Sequence, residues 1–245
     1  MSQTIYRPKA ILFDHDGVLV TSEELHFLAW QQLLKDMGLP WDEIRFDGMV
    51  GRPAPVILRT FLDQFKPGWT PEAFDVDALA LKKNDYYLES AKTQLGVYPG
   101  VREGLAWAKA NGIPCAVVSN AKRRELKASL TMLKLEEYFK VVLSRDDVLK
   151  PKPDPGPFEF AALSLGVEPD ECVAIDDSPT GLEGALLAGC VTASVTTNYP
   201  RGALEIPIPG RNDLRPVWIG GTMDAFFHWL ASLPVKTDSY RLRDK

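Results

Sequence analysis

The chain has 245 residues, 45% hydrophobic and 25% charged, which is the balance of a soluble globular protein long enough to bury a core without disulfides or metal staples. Its formal net charge is −5 with no basic run, which argues against nucleic acid as the main partner. No apolar run is long enough to span a membrane and MSQTIYRPKA lacks a signal-like apolar region, so the expected setting is cytoplasmic, with Cys115, Cys172 and Cys190 as reduced core residues.

Short apolar runs that stop abruptly at polar residues recur along the chain. They are Ala10–Phe13 before Asp14, Cys115–Val118 before Ser119, Val141–Leu143 before Ser144, Cys172–Ile175 before Asp176, and Val191–Val195 before Thr196. Runs without polar alternation fit strands buried on both faces of a parallel sheet. Between them lie helical patterns at Val101–Asn111, Lys122–Leu135, Pro157–Leu165 and Thr180–Ala188, two of them followed by a stop glycine, Gly112 and Gly189. This alternation implies a doubly wound α/β core with a Rossmann-like parallel sheet.

Residues 22–94 read differently. Glu24–Met37, Pro53–Phe65 and Pro71–Ser90 have helical spacing, and no strand pattern interrupts them. The expected organisation is a core of residues 1–21 and 95–245, with an α-helical cap of residues 22–94 inserted between its first two strands. Residues 198–245 are rich in proline and glycine and contain one further helical pattern, Met223–Leu233.

Ligands of open α/β sheets bind beyond the carboxyl ends of the strands. That edge gathers Asp14, Asp16, Ser119, Asn120, Asp176 and Asp177. Carboxylates held close repel one another unless a cation sits among them, and an all-oxygen donor set suits magnesium with a substrate phosphate. The residues by themselves therefore read as a magnesium and phosphate site.

The motifs make the reading specific. Asp14-His-Asp16-Gly17-Val-Leu, Ser119-Asn120, Lys150-Pro-Lys-Pro-Asp154 and Asp176-Asp177-Ser178-Pro-Thr-Gly181 resemble, in order, the four motifs of the haloacid dehalogenase-like phosphotransferases. The resemblance covers residues 9–197. It implies a magnesium-dependent enzyme in which Asp14 is the nucleophile, forming an aspartyl-phosphate, and Asp16 the acid and base. It also implies Mg2+ bound by Asp14, the Asp16 carbonyl and Asp177, with Asp176 acting directly or through water, and Gly17 allowing a turn too tight for a β-carbon. Ser119, Asn120 and Lys150 would receive the phosphate; the family pattern selects Lys150 over Lys152. His15, between the two aspartates, would face away as a packing or surface residue.

Within the family, Glu24-Leu-His26-Phe-Leu-Ala-Trp30 resembles the start of the cap in the β-phosphoglucomutase, sugar-phosphatase and phosphoglycolate-phosphatase branch. His26 and Arg52 are the candidate substrate contacts from the cap, and Trp30 reads as core. Haloacid dehalogenases themselves lack the second aspartate of the first motif, so Asp16 argues against dehalogenation. A mutase would be expected to carry an arginine three residues after Gly51, where Ala54 stands. The expected activity is thus hydrolysis of a small phosphorylated metabolite, a sugar phosphate or phosphoglycolate-like monoester. The alternative is a β-phosphoglucomutase-like phosphoryl shuttle.

Overall fold

A computed structural model of the chain describes residues 4–42, 53–205, 208, 210, 211 and 213–236. Arg52 lies outside the described residues. Six strands form one parallel sheet in the order β3-β2-β1-β4-β5-β6. They are β1 (Ala10–Phe13), β2 (Cys115–Val118), β3 (Phe139–Leu143), β4 (Cys172–Asp176), β5 (Val191–Val195) and β6 (Trp218–Gly220). The expected apolar runs are the first five. The sixth is a three-residue edge strand, too short to show a pattern of its own.

Alternating side chains divide the core between the faces of the sheet. Ile11, Phe13, Val117, Val173 and Ile175 pack with α4 (Val101–Ala110), α5 (Arg123–Met132) and α9 (Met223–Ser232). Ala10, Leu12, Ala116, Val118 and Ala174 pack with α6 (Gly156–Ser164) and α7 (Pro179–Leu187). The tail residues therefore complete the core: Phe226 and Phe227 of α9 lie 6.4 and 6.0 Å from the Phe13 ring. Gly104 of α4 makes room for Phe227, because a β-carbon there would fall 2.0 Å from its ring.

Between β1 and β2 the chain forms α1 (Glu23–Asp36), α2 (Ala54–Phe65) and α3 (Val76–Gln94). These helices bury their own cluster, including Trp30, Leu33, Leu34, Leu58, Phe61 and Leu62. Helix α3 starts five residues later than its apolar spacing suggests. The Asp75 side chain accepts from the Asp77 and Ala78 amides at 3.1 and 3.0 Å, and that cap fixes the first turn while Pro71–Ala73 stay in a turn. The two crossings between this segment and the sheet pair with each other. Val20 bridges Val97 in antiparallel fashion, and the Thr21 amide donates to the Gly96 carbonyl at 3.0 Å.

In this strand order β1 and β4 are neighbours whose outgoing connections diverge, which opens a crevice at their carboxyl ends. Phe13 is in register with Ile175, so Asp14 and Asp176 emerge side by side at that crevice.

Candidate active site

Asp14 continues the β1 ladder, its amide donating to the Ile175 carbonyl at 2.9 Å. Its carboxylate, with those of Asp176 and Asp177, forms a buried trio whose oxygens lie within 4.8 Å of one another. Three oxygen donors at that spacing could hold a metal ion, as the sequence pattern implies. Burial and the neighbouring charges of Asp176 and Asp16 push Asp14 up to about 7, against the opposing pull of Lys152. Burial, together with Asp176 and Asp14, likewise raises Asp177 well above the usual carboxylate range.

The cation in this cluster is Lys152, and that corrects the expectation for Lys150. Lys152 Nζ donates to Asp14 Oδ1 at 2.6 Å, to Asp176 Oδ2 at 2.8 Å and to the Val118 carbonyl at 3.1 Å. Burial alone would lower its pKa, but the two carboxylates raise it instead. Lys150 has 79% of its side chain exposed and reaches no nearer than 4.0 Å to Asp154. Asn120 makes the choice between the two lysines. Its Oδ1 accepts from the Lys152 amide at 3.0 Å and its Nδ2 donates to the Lys152 carbonyl at 3.1 Å. This two-bond clamp turns the Lys152 side chain inward, while Lys150 stays in solvent ahead of a turn closed by the Asp154 amide on the Pro151 carbonyl. Asn120 thus holds the lysine's backbone, although it also lines the cavity.

Asp176 is engaged on both oxygens. Oδ1 accepts from the Ser178 amide at 2.9 Å and hydroxyl at 2.7 Å, and Oδ2 accepts from Lys152. Ser119 is buried at the end of β2, its hydroxyl accepting from the Ala121 amide at 3.0 Å. It does not cap α5, whose cap position is Lys122. Gly17 has φ +77°, and a β-carbon there would lie 2.2 Å from Asp177 Oδ2. Only glycine allows this approach.

Asp16 accepts a hydrogen bond from the Ser22 hydroxyl. His15 Nδ1 lies 3.2 Å from its Oδ1 without the alignment of a hydrogen bond, and His26 Nε2 lies 3.8 Å away. Burial works against ionisation of Asp16, but His15 and His26 outweigh it and hold the carboxyl well below its ordinary range. His15 is buried rather than at the surface, and its Nε2 pairs with the Ser129 hydroxyl of α5 at 2.6 Å.

These groups open into a cavity of about 760 Å³ between the sheet edge and α1–α3. His26 lines it, stacked on Tyr87 with ring centroids 4.0 Å apart and its Nδ1 2.6 Å from Lys83 Nζ. Enclosure and the Lys83 ammonium push His26 well down, so the ring is neutral at pH 7. Lys83 itself is lowered by burial to about 8. Trp30 does join the helical cluster, and it also lines this wall. Glu125, in the first turn of α5, is buried at the same cavity and burial raises it to about 7. Lys83, Glu125, Glu23 and Asn198 were not legible in the sequence because each lies among other polar residues outside the four motifs.

The profile of the haloacid dehalogenase-like hydrolases matches residues 11–195, a span that contains the acidic trio and Lys152. The chain belongs to that family. It is 32% identical over 190 residues to the phosphorylated carbohydrates phosphatase of Thermotoga maritima, covering 74% of this chain and 82% of that one. It is also 32% identical over 217 residues to phosphoglycolate phosphatase 1 of Pseudomonas aeruginosa, covering 85% and 79%. The crystal structure of a predicted phosphoglycolate phosphatase from Haemophilus somnus 129pt superposes with a TM-score of 0.77 at 26% identity, covering 91% of this chain and 98% of that one. This haloacid dehalogenase-like chain is accordingly an enzyme of the family's phosphatase branch. Among the described residues, no helix is long and apolar enough to cross a membrane.

Proposed function

We propose that the chain hydrolyses a small phosphate monoester, a sugar phosphate or a phosphoglycolate-like acid, in a magnesium-dependent reaction through an aspartyl-phosphate. The observation that carries this reading is Asp14, buried at the floor of the cavity with Lys152 on one oxygen and Asp16 two residues along. With Lys152 occupying Oδ1, the other oxygen is the one to attack phosphorus in line. The ester oxygen leaves with a proton from Asp16, and the same group then takes a proton from the water that frees Asp14. The resting Asp16 is ionised and so suited to the second half. A bound phosphate dianion beside it raises its pKa and suits it to the first. Lys152 and Ser119 offset charge on the equatorial phosphoryl oxygens.

The donor set suits a hard divalent cation, because three buried carboxylates face a single ammonium. Asp14, Asp177 and the Asp16 carbonyl would hold Mg2+, which supplies charge neutralisation at the phosphoryl group. Asp176, bound by Lys152 and Ser178, anchors the lysine beside these groups. Residues 22–94 serve as the cap that encloses the substrate, with His26 at its inner wall.

A phosphate-release screen with Mg2+ over sugar phosphates and phosphoglycolate tests the assignment. Release from at least one monoester, lost in Asp14→Asn, is the expected result. Conversion of β-glucose 1-phosphate to glucose 6-phosphate without free phosphate would replace it with the mutase alternative.

A further inference from the structure

Behind Asp177 lies a chain of side chains that the phosphotransfer steps do not use. Asn198, in the loop after β5, donates through Nδ2 to Asp177 Oδ2 at 2.6 Å and to Glu23 Oε1 at 2.9 Å. The other Glu23 oxygen accepts from the Tyr98 hydroxyl at 3.2 Å. Glu23 is the first residue of α1, where the chain leaves the sheet for the helical segment. Tyr98 lies just beyond the return crossing, its amide donating to the Leu19 carbonyl at 3.1 Å. One amide therefore ties the acidic trio to both crossings of the helical segment.

The chemistry of the bridge is specific. Asp177 and Glu23 are both carboxylates and would repel at this separation; a primary amide has two N–H bonds, one for each. A hydroxyl has one proton and serves only one of them. The space is also tight, since a β-carbon on Gly17 would lie 2.6 Å from Asn198 Nδ2 as well as against Asp177. Asn198 is thus wedged between the first-motif turn and the helical segment, and the rotamer of Asp177 is set from behind.

We propose that Asn198 is a positioning residue for Asp177 and that Glu23 and Tyr98 anchor it, so that cation affinity at the acidic trio depends on how the helical segment is seated. The proposal rests on Asp177 being a ligand of the metal. Partners behind a ligand typically change metal affinity by ~10–100-fold when removed.

The test is Mg2+ titration by calorimetry on the full chain, without substrate. For Asn198→Ala we expect Mg2+ to bind about 10-fold more weakly, with the far-UV circular dichroism of the wild type. Glu23→Ala should weaken binding less. The double variant should bind no more weakly than Asn198→Ala alone, because both act through one path. Glu23→Gln, which keeps an acceptor for the amide, should restore most of the loss seen in Glu23→Ala. Wild-type affinity in Asn198→Ala would overturn the proposal. So would additive losses in the double variant, or tighter binding in Asn198→Ala, which would mean that Glu23 becomes a ligand once the amide is gone. Wild-type protein that binds Mg2+ no better than Asp177→Ala would instead refute the metal site itself, a distinct failure.

Discussion

The two walls of the cavity are built on different principles. On the sheet side each functional group sits at the end of a strand or in the loop just after it, and it is fixed by hydrogen bonds to backbone or to another member of the cluster: Asp14 to Lys152, Asp176 to Ser178, Asn120 to Lys152. On the helical side the polar groups are singly placed among aromatic rings. His26 stacks on Tyr87, and the Lys83 ammonium lies 5.6 Å from the centres of the Trp30 and Tyr87 rings. The sheet wall holds charges at fixed separations, which is what phosphoryl transfer demands. The helical wall offers shape, a neutral imidazole and a weakly basic amine, a surface that can change with substrate while the chemistry stays constant.

The sharpest test of this contrast is Asp14→Asn, which leaves the wall's shape intact and removes the nucleophile. Loss of at least about 10³-fold in kcat is expected from steady-state phosphate release. Next is the lysine pair. Lys152→Met should reduce kcat by about 10²–10³-fold, and it should also lower the unfolding temperature, because it leaves Asp14 and Asp176 buried without their cation. Lys150→Met should leave both quantities near wild type. Comparable losses in the two variants would break the assignment of the charge clamp.

On the helical wall, Lys83→Met should cost about 10-fold in kcat/KM, and unequally across a panel of monoesters. A uniform loss would mean that this wall does not select substrate. The smallest effect is a pH dependence of stability. Glu125 has a folded pKa near 7, above its ordinary 4.5, so the folded protein holds that proton more tightly. The stabilisation is complete below about pH 4.5 and is lost as pH rises through 7. In thermal melts between pH 5 and pH 8, Glu125→Gln should lose less stability than wild type over that range, by a difference of order 1 kcal/mol. Parallel curves for the two proteins would show that Glu125 is not enclosed.

Much of the sheet side was legible in the amino-acid order. A strand buried on both faces must be an apolar run, so its end is marked by the first charged residue, and Asp14 and Asp176 announce themselves in that way. Lys152 was not legible in its role. Lys150 and Lys152 share one short stretch, and the choice between them depends on two hydrogen bonds from Asn120, 32 positions earlier. Strand β6 and the part played by α9 were hidden for a related reason. A three-residue edge strand has no period, and Phe227 fits beside Phe13 because Gly104 leaves space for its ring.

The sequence by itself determined the alternating core, the three helical patterns between the first two strands, and the four motifs with Asp14, Asp16, Asp176 and Asp177 in order. Apolar periodicity and motif spacing are local properties of the chain, and each can be read within a window of a few turns. Tertiary structure alone decided which lysine reaches the nucleophile, which helical residues meet Asp16, and that Asn198 stands between Asp177 and Glu23. These are contacts between residues 10 to 175 positions apart, and a single sequence holds no record of a distance that only packing creates.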